Sequence, residues 1–337
     1  MDILSQIQVH IMKNRAVLSA KNIFDFRGVK IQFFSEFEGL YDKMQKHIIE
    51  NNMILIGNKD DNYITASMIF IQSDFAKVEY KKEKKELIVY GKYDDFSVGR
   101  ALYYILEYYY ECIGACISNS LLIHSAAVYC PELQKSILII GEKGSGKTTV
   151  AFKLCKEHKM HLIGNDLVKV GYDQKNELIS KNGSLSFTIR ETAARNDEDL
   201  SIFISLFKKR KISGWNNKIV LVPKELGVKT HNEDAVIDLI VEVRIDNHQK
   251  NFVVEDKYNT RTALILHEKV GRHISAQSTP FLDDYDRYLG TLPLIDYSVN
   301  SSIRENIVKA MIQKKVYRLS GSKSDNLVEW ISEKVKR

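Results

Sequence analysis

Lys147 and Thr148 stand directly after a glycine-spaced loop, Gly141-Glu142-Lys143-Gly144-Ser145-Gly146, and Thr149 follows them. A lysine and a hydroxyl in the spacing G-x-x-x-x-G-K-[ST] suit a polyphosphate. Gly141, Gly144 and Gly146 allow successive amide groups to turn toward one point, where the next helix adds the positive end of its dipole. Lys147 would bridge the outer phosphates, the Thr148 hydroxyl would ligate magnesium, and the whole run 141–149 would cradle a nucleotide. The competing reading is a glycine-rich turn between a strand and a helix with no ligand.

The flanks are those the chemistry needs. Ile137-Leu138-Ile139-Ile140 reads as a buried strand, and Val150-Ala151-Phe152-Lys153-Leu154 opens an amphipathic helix. Upstream, Leu121 to Tyr129 reads as one strand containing His124, joined to the loop strand by a turn at Pro131. Downstream, His161 to Val168 reads as a strand interrupted by Asn165-Asp166. Asp166 at the end of a strand beside the loop strand can accept a hydroxyl proton or hold a metal ion, and both roles stay open. A lone histidine in an apolar strand is also an ordinary core residue, so His124 has two readings as well.

This order of elements resembles the HPr kinase/phosphorylase family, and especially the HPr-kinase-related peptide kinases of modified-peptide gene clusters. The likeness is position-specific over residues 121–170 and looser from residue 86 to the C-terminus. It implies an α/β chain with a P-loop core of the phosphoenolpyruvate-carboxykinase-like type. It places His124 near the phosphates and Asp166 as the base on the acceptor hydroxyl. Asn165 stands where the family has the first aspartate of an acidic pair. Thr188-Ile189-Arg190-Glu191 is the nearest run to the family's Glu-Ile-Arg-Gly signature, so Arg190 would clamp the transferred phosphoryl group. A surface Arg-Glu pair is the alternative for Arg190.

The resemblance thus implies an ATP-dependent, magnesium-requiring kinase that acts on a hydroxyl, such as a serine on a peptide or small protein, or a small metabolite. GTP stays open beside ATP, because no Asn-Lys-x-Asp run occurs at a suitable distance. A nucleotide-switched binding module and a nucleoside-triphosphate hydrolase are the rival readings. The family commonly forms oligomers, so a homo-oligomer is an expectation here.

Composition sets outer bounds. The chain has 337 residues, 44% hydrophobic and 27% charged, with net charge +6, as in ordinary globular proteins. Basic residues are dispersed, apart from Lys81-Lys82-Glu83-Lys84-Lys85 at an expected hairpin tip and Lys208-Lys209-Arg210-Lys211 at an expected helix end. Neither cluster argues for nucleic acid. Cys112, Cys116, Cys130 and Cys155 lack the spacing of a zinc site or a disulfide framework. With no basic-then-apolar opening and no stretch of membrane-spanning length, the reading expects a cytoplasmic protein without a membrane partner.

Two domains are expected. Residues 1–95 form a small accessory α/β domain: a helix over 36–51, strands near Met53–Ile56 and Tyr63–Phe70, and a hairpin of Val78–Tyr80 with Leu87–Tyr90, in an antiparallel sheet. Residues 96–337 form the nucleotide-binding domain, beginning with a tyrosine-rich helix over 97–118 whose aromatic stripe reads as core. A meander through 167–172, 178–180 and 185–189 is expected, then a central strand over 235–243 and helices over 301–316 and 324–336. Asp283-Asp284-Tyr285-Asp286 reads as a solvated turn rather than a metal site.

Overall fold

The computed structural model describes residues 22–26, 29–50, 64–197, 200–207, 217–246, 248–256, 260–271, 274, 279–314 and 316–337. The expected strand at Met53–Ile56 and the basic run Lys208–Lys211 lie outside the described residues. The chain is mixed α/β and divides into two compact units, Met1–Asn119 with His273–Ile303, and Ser120–Arg272 with Arg304–Arg337.

In the first unit, strands β1 (Ile23–Asp25), β2 (Lys30–Ser35), β3 (Ala66–Gln72), β4 (Lys77–Lys81) and β5 (Glu86–Gly91) form a sheet ordered β1-β2-β3-β5-β4. The expected hairpin is β4–β5, with Lys82–Lys84 exposed at its tip. The sheet is mixed rather than antiparallel, because β3 pairs in parallel with both β2 and β5. β3 and β5 are buried nearly throughout, as parallel strands covered on both faces must be.

Helices α1 (Leu40–Glu50) and α2 (Arg100–Ser118) belong to this unit. The unit boundary therefore falls after Asn119 instead of near residue 95. The tyrosines of α2 account for the difference, since they pack on the first sheet. Phe26 and Tyr110 rings lie 4.6 Å apart, and the Tyr109 hydroxyl donates to Lys85 O at 2.6 Å.

The aspartate cluster 283–286 is a turn, solvated at Tyr285 and Asp286 but not at its first two residues. Asp283 and Asp284 are buried, and Asp284 carries out the N-capping of α2 from a distance in sequence. Its Oδ2 accepts from Val98 N (2.7 Å) and Gly99 N (3.2 Å), and its Oδ1 from Ala101 N (2.8 Å). These are amides that a helix start leaves without intrahelical partners.

The second unit is built on a mixed sheet of nine strands. They are β6 (Ser120–Ile123), β7 (Ala126–Cys130), β8 (Lys135–Ile140), β9 (His161–Asn165), β10 (Val168–Tyr172), β11 (Leu178–Gly183), β14 (Ala235–Ile245), β15 (Val253–Glu255) and β16 (Val316–Gly321). The long β14 is central as expected, parallel to β8 and β16 and antiparallel to β11. Strands β12 (Phe187–Arg190) and β13 (Lys218–Leu221) pair only with each other, so the expected meander leaves the main sheet after β11.

Helix α3 (Lys147–Glu157) follows the glycine loop and buries Val150, Ala151 and Leu154 completely. Val150 and Leu154 each contribute about 1.5–3 kcal/mol when fully buried. Phe152 on the same helix meets Phe187 and Phe203 edge-on at 5.6 and 6.0 Å. The remaining labelled helices are α4 (Glu191–Asn196), α5 (Thr260–Lys269), α6 (Tyr297–Gln313) and α7 (Ser324–Lys336). Among the described residues, no helix is long and apolar enough to cross a membrane. The four cysteines are all free thiols, and burial pushes Cys155 up to about 12.

Candidate functional site

Strand register brings the site together. The stretch 121–129, expected as one strand, breaks at His124-Ser125 into β6 and β7, which pair with different neighbours. Ala126 at the start of β7 pairs with Ile139 of β8 on one side and with Asn165 of β9 on the other. β7 runs antiparallel to both, so its start lies between their ends. His124 before β7, the glycine loop after β8 and Asp166 after β9 therefore leave the sheet at one edge.

β9 is thus not beside the loop strand, as expected, but one strand further out. With neighbouring strands ~4.8 Å apart, the ends of β8 and β9 stand roughly 10 Å from each other. Thr148 and Asn165 span that gap: the Thr148 hydroxyl donates to Asn165 Oδ1 at 3.2 Å. Asn165 is itself buried and fixed, its Nδ2 donating to Ser186 O at 2.9 Å. Ser186 comes this close because Gly164 and Gly183 pack backbone to backbone, where a Cβ on Gly164 would lie 2.4 Å from Gly183 Cα.

The loop conformation requires its glycines. Gly146, the residue capping α3, has φ +97°, and a Cβ there would stand 2.3 Å from Ile245 Cδ1. β14 also anchors the loop directly, with Ile245 N donating to Ser145 O at 2.9 Å. Lys147 is only 7% exposed and folds back on its own loop, its Nζ donating to Gly141 O and Glu142 O, each at 2.9 Å. The Lys147 ammonium is lowered to about 8, chiefly by burial and with a share from the positive charge of Lys269, against the opposing pull of Asp166 and Glu142. The Ser145 hydroxyl is buried inside the loop with no hydrogen-bond partner among the described residues.

Asp166 has φ +72°, a left-handed conformation that aspartate tolerates better than most residues. Its Oδ1 lies 3.1 Å from His124 Nε2, and both side chains remain partly open to solvent. Backbone conformation of this kind costs of order 1–3 kcal/mol and persists where the surroundings hold it. Here the chain reverses at once into β10, which pairs with β6.

Lys269 carries no sequence signal, since it ends an unremarkable helix far along the chain. The fold places its Nζ 2.9 Å from Glu142 Oε2, and this bond is the main reason the Glu142 carboxyl is held below the usual carboxylate range. Arg190 ends β12 and precedes α4, four residues beyond Ser186. The corner it occupies is organised by Glu191, which accepts from Arg195 and from Asn217 Nδ2 (3.0 Å).

Of the residues singled out in the sequence, His124, Lys147, Thr148 and Asp166 meet at one edge with the 141–149 run. The arrangement presents cations, amides and a hydroxyl to one space and a carboxylate–imidazole pair at its border. That combination can hold an anion of several oxygens and take up a proton beside it. Among the described residues no group of three or more His, Cys, Asp or Glu side chains is placed to hold a metal ion. The donors present near Thr148 are hard oxygens, the hydroxyl, Asn165 Oδ1 and the Asp166 carboxylate. These suit a magnesium ion that takes its other ligands from phosphate and water. No family model matches this chain, and no curated protein matches it.

Proposed function

We propose that the 141–149 loop binds a nucleoside triphosphate with magnesium, and that the site transfers the γ-phosphoryl group to a hydroxyl, as in the HPr-kinase-like proteins the sequence resembles. The observation that carries this reading is the register of β7 between β8 and β9, which sets the glycine loop beside the Asp166–His124 pair. Phosphoryl transfer asks for neutralised phosphates and a positioned acceptor more than for covalent chemistry.

In this reading Lys147 exchanges its two loop carbonyls for phosphate oxygens, whose negative charge favours the ammonium that burial disfavours. The amides of the loop and the first turn of α3 hold the remaining oxygens. Thr148 and Asp166 would hold magnesium, which when bound neutralises charge on the phosphates. Asp166 accepts the acceptor's proton as its oxygen attacks the γ-phosphorus and the bond to the bridging oxygen breaks, releasing the diphosphate. His124 orients the Asp166 carboxylate through the 3.1 Å contact. The Arg190 role implied by the resemblance has no part in this proposal. The acceptor is a serine of a peptide or small protein, or a small hydroxyl compound.

Asn165 favours a second reading. An amide bonded to Thr148 carries no charge for a metal, which fits a nucleotide-switched binding module or a hydrolase without an organic acceptor. The test is to incubate the protein with γ-labelled ATP and magnesium, with and without serine-containing peptides or a cell extract. Label on an organic hydroxyl supports the kinase. Label released only as phosphate supports the hydrolase, bound but unconsumed ATP the switch, and no binding of either ATP or GTP refutes the nucleotide reading.

A further inference from the structure

Lys269 is built into the site rather than resting on its surface. The chain just after it is pinned to β6 by an antiparallel bridge between Val270 and Ile123 and by Gly271 N donating to Leu122 O at 3.0 Å. The end of α5 is held again by Arg304, which is 8% exposed. Its Nε donates to Val270 O at 2.9 Å, and its Nη2 donates to His267 O. A buried guanidinium bonded to the last carbonyls of a helix fixes that helix end firmly. Ile123 is the residue before His124, so these contacts set Lys269 on the His124–Asp166 side of the loop.

Two lysines therefore converge on one short loop. Lys147 is nearly buried, and the charge of Lys269 acts against its protonation. A scaffold that holds two ammonium groups against the same loop opposes their mutual repulsion, and a polyanion between them reverses the sign of that interaction. Without such an anion, Lys269 rests on Glu142, the second residue of the loop, whose side chain is mostly exposed while that of Lys269 is 15% exposed. An exposed carboxylate is a partner that a phosphate can displace.

We propose that Lys269 is a second phosphate-contacting residue, which leaves Glu142 for the terminal phosphoryl group when a triphosphate enters the loop. This rests on the nucleotide reading given above. Lys269 contributes to triphosphate affinity and to discrimination against the diphosphate, because its fixed position faces the acceptor side of the site. Glu142 competes with the ligand for it.

The test is calorimetric titration of the full chain with ATP and with ADP, in magnesium, for the wild type, Lys269→Met, Lys269→Arg and Glu142→Gln. Thermal unfolding without nucleotide checks that each variant folds. Lys269→Met should weaken ATP binding about ten- to a hundredfold and change ADP binding by less than about threefold, the loss expected for one charge-assisted contact. Lys269→Arg should keep the preference for ATP, and Glu142→Gln should tighten ATP binding. Lys269→Met binding ATP as the wild type does would overturn the proposal. So would an equal loss for ATP and ADP, the mark of a residue that only supports the loop. A wild-type protein that binds neither ATP nor, in the same titration, GTP refutes the nucleotide reading itself, a result distinct from both.

Discussion

Lys147→Met separates what the loop lysine does for a ligand from what it costs the fold. Lowering its ammonium from 10.5 to about 8 corresponds to about 3 kcal/mol against the charged form at neutral pH, with burial as the leading cause. Methionine keeps an unbranched stem and removes the charge. It also loses the charge-assisted bonds to Gly141 O and Glu142 O, about 1.5–3 kcal/mol each. The two effects oppose each other at similar size, so the variant should stay folded with stability near the wild type's at pH 7 while losing ATP binding.

The pH dependence is the sharper part of this prediction. The unfolded lysine keeps its proton to about 10.5 and the folded one only to about 8, so between these values the unfolded state binds more protons. Wild-type stability then rises with pH by about 1.4 kcal/mol per unit across that window, and the variant lacks this rise. From pH 7 to 10 the wild type should gain about 2–3 kcal/mol on the variant. Lys169, also lowered to about 8 by burial, is present in both proteins and cancels in the difference. Urea unfolding followed by tryptophan fluorescence suits the measurement, because Trp330 packs edge-on against Tyr317 at 4.9 Å within the second unit. A difference between the two proteins that stays flat from pH 7 to 10 would refute the claim that a buried ammonium is held in this loop.

Asp166→Asn should leave ATP binding nearly intact and slow phosphoryl transfer by about 10²–10⁴-fold in single-turnover assays, as removal of a proton acceptor does. A loss of only a few fold would assign Asp166 to holding the metal. Gly146→Ala should destabilise the second unit by about 3 kcal/mol, from the positive φ and the Ile245 contact together. Adding Ile245→Ala, and comparing with Ile245→Ala alone, should recover the steric share, which denaturant midpoints of the double variant would show. Asp284→Ala should cost about 2 kcal/mol by stripping the α2 start of its acceptor, with the melting of the first unit lowered and ATP binding by the second unchanged.

The glycine loop, its strand and its helix were legible in the sequence because their signals are local. Glycine spacing, an apolar run of strand length and a helical repeat need no distant partner to be read. The same holds for the β4–β5 hairpin and for the central place of β14, whose β-branched run is long and apolar. What the sequence left open were questions of which strand lies beside which. The parallel pairings of β3, the departure of β12 from the main sheet and the position of β7 between β8 and β9 depend on register between segments far apart in the chain. A single chain pattern does not encode register visibly. The first-unit membership of α2 and the cap from Asp284 were hidden for the same reason, since both are set by packing across the whole chain length. So too with the site. Lys147, Thr148, His124 and Asp166 could be named from residue type and spacing, but the Thr148–Asn165 bond and the approach of Lys269 to Glu142 exist only because the sheet edge and the end of α5 bring them within bonding distance.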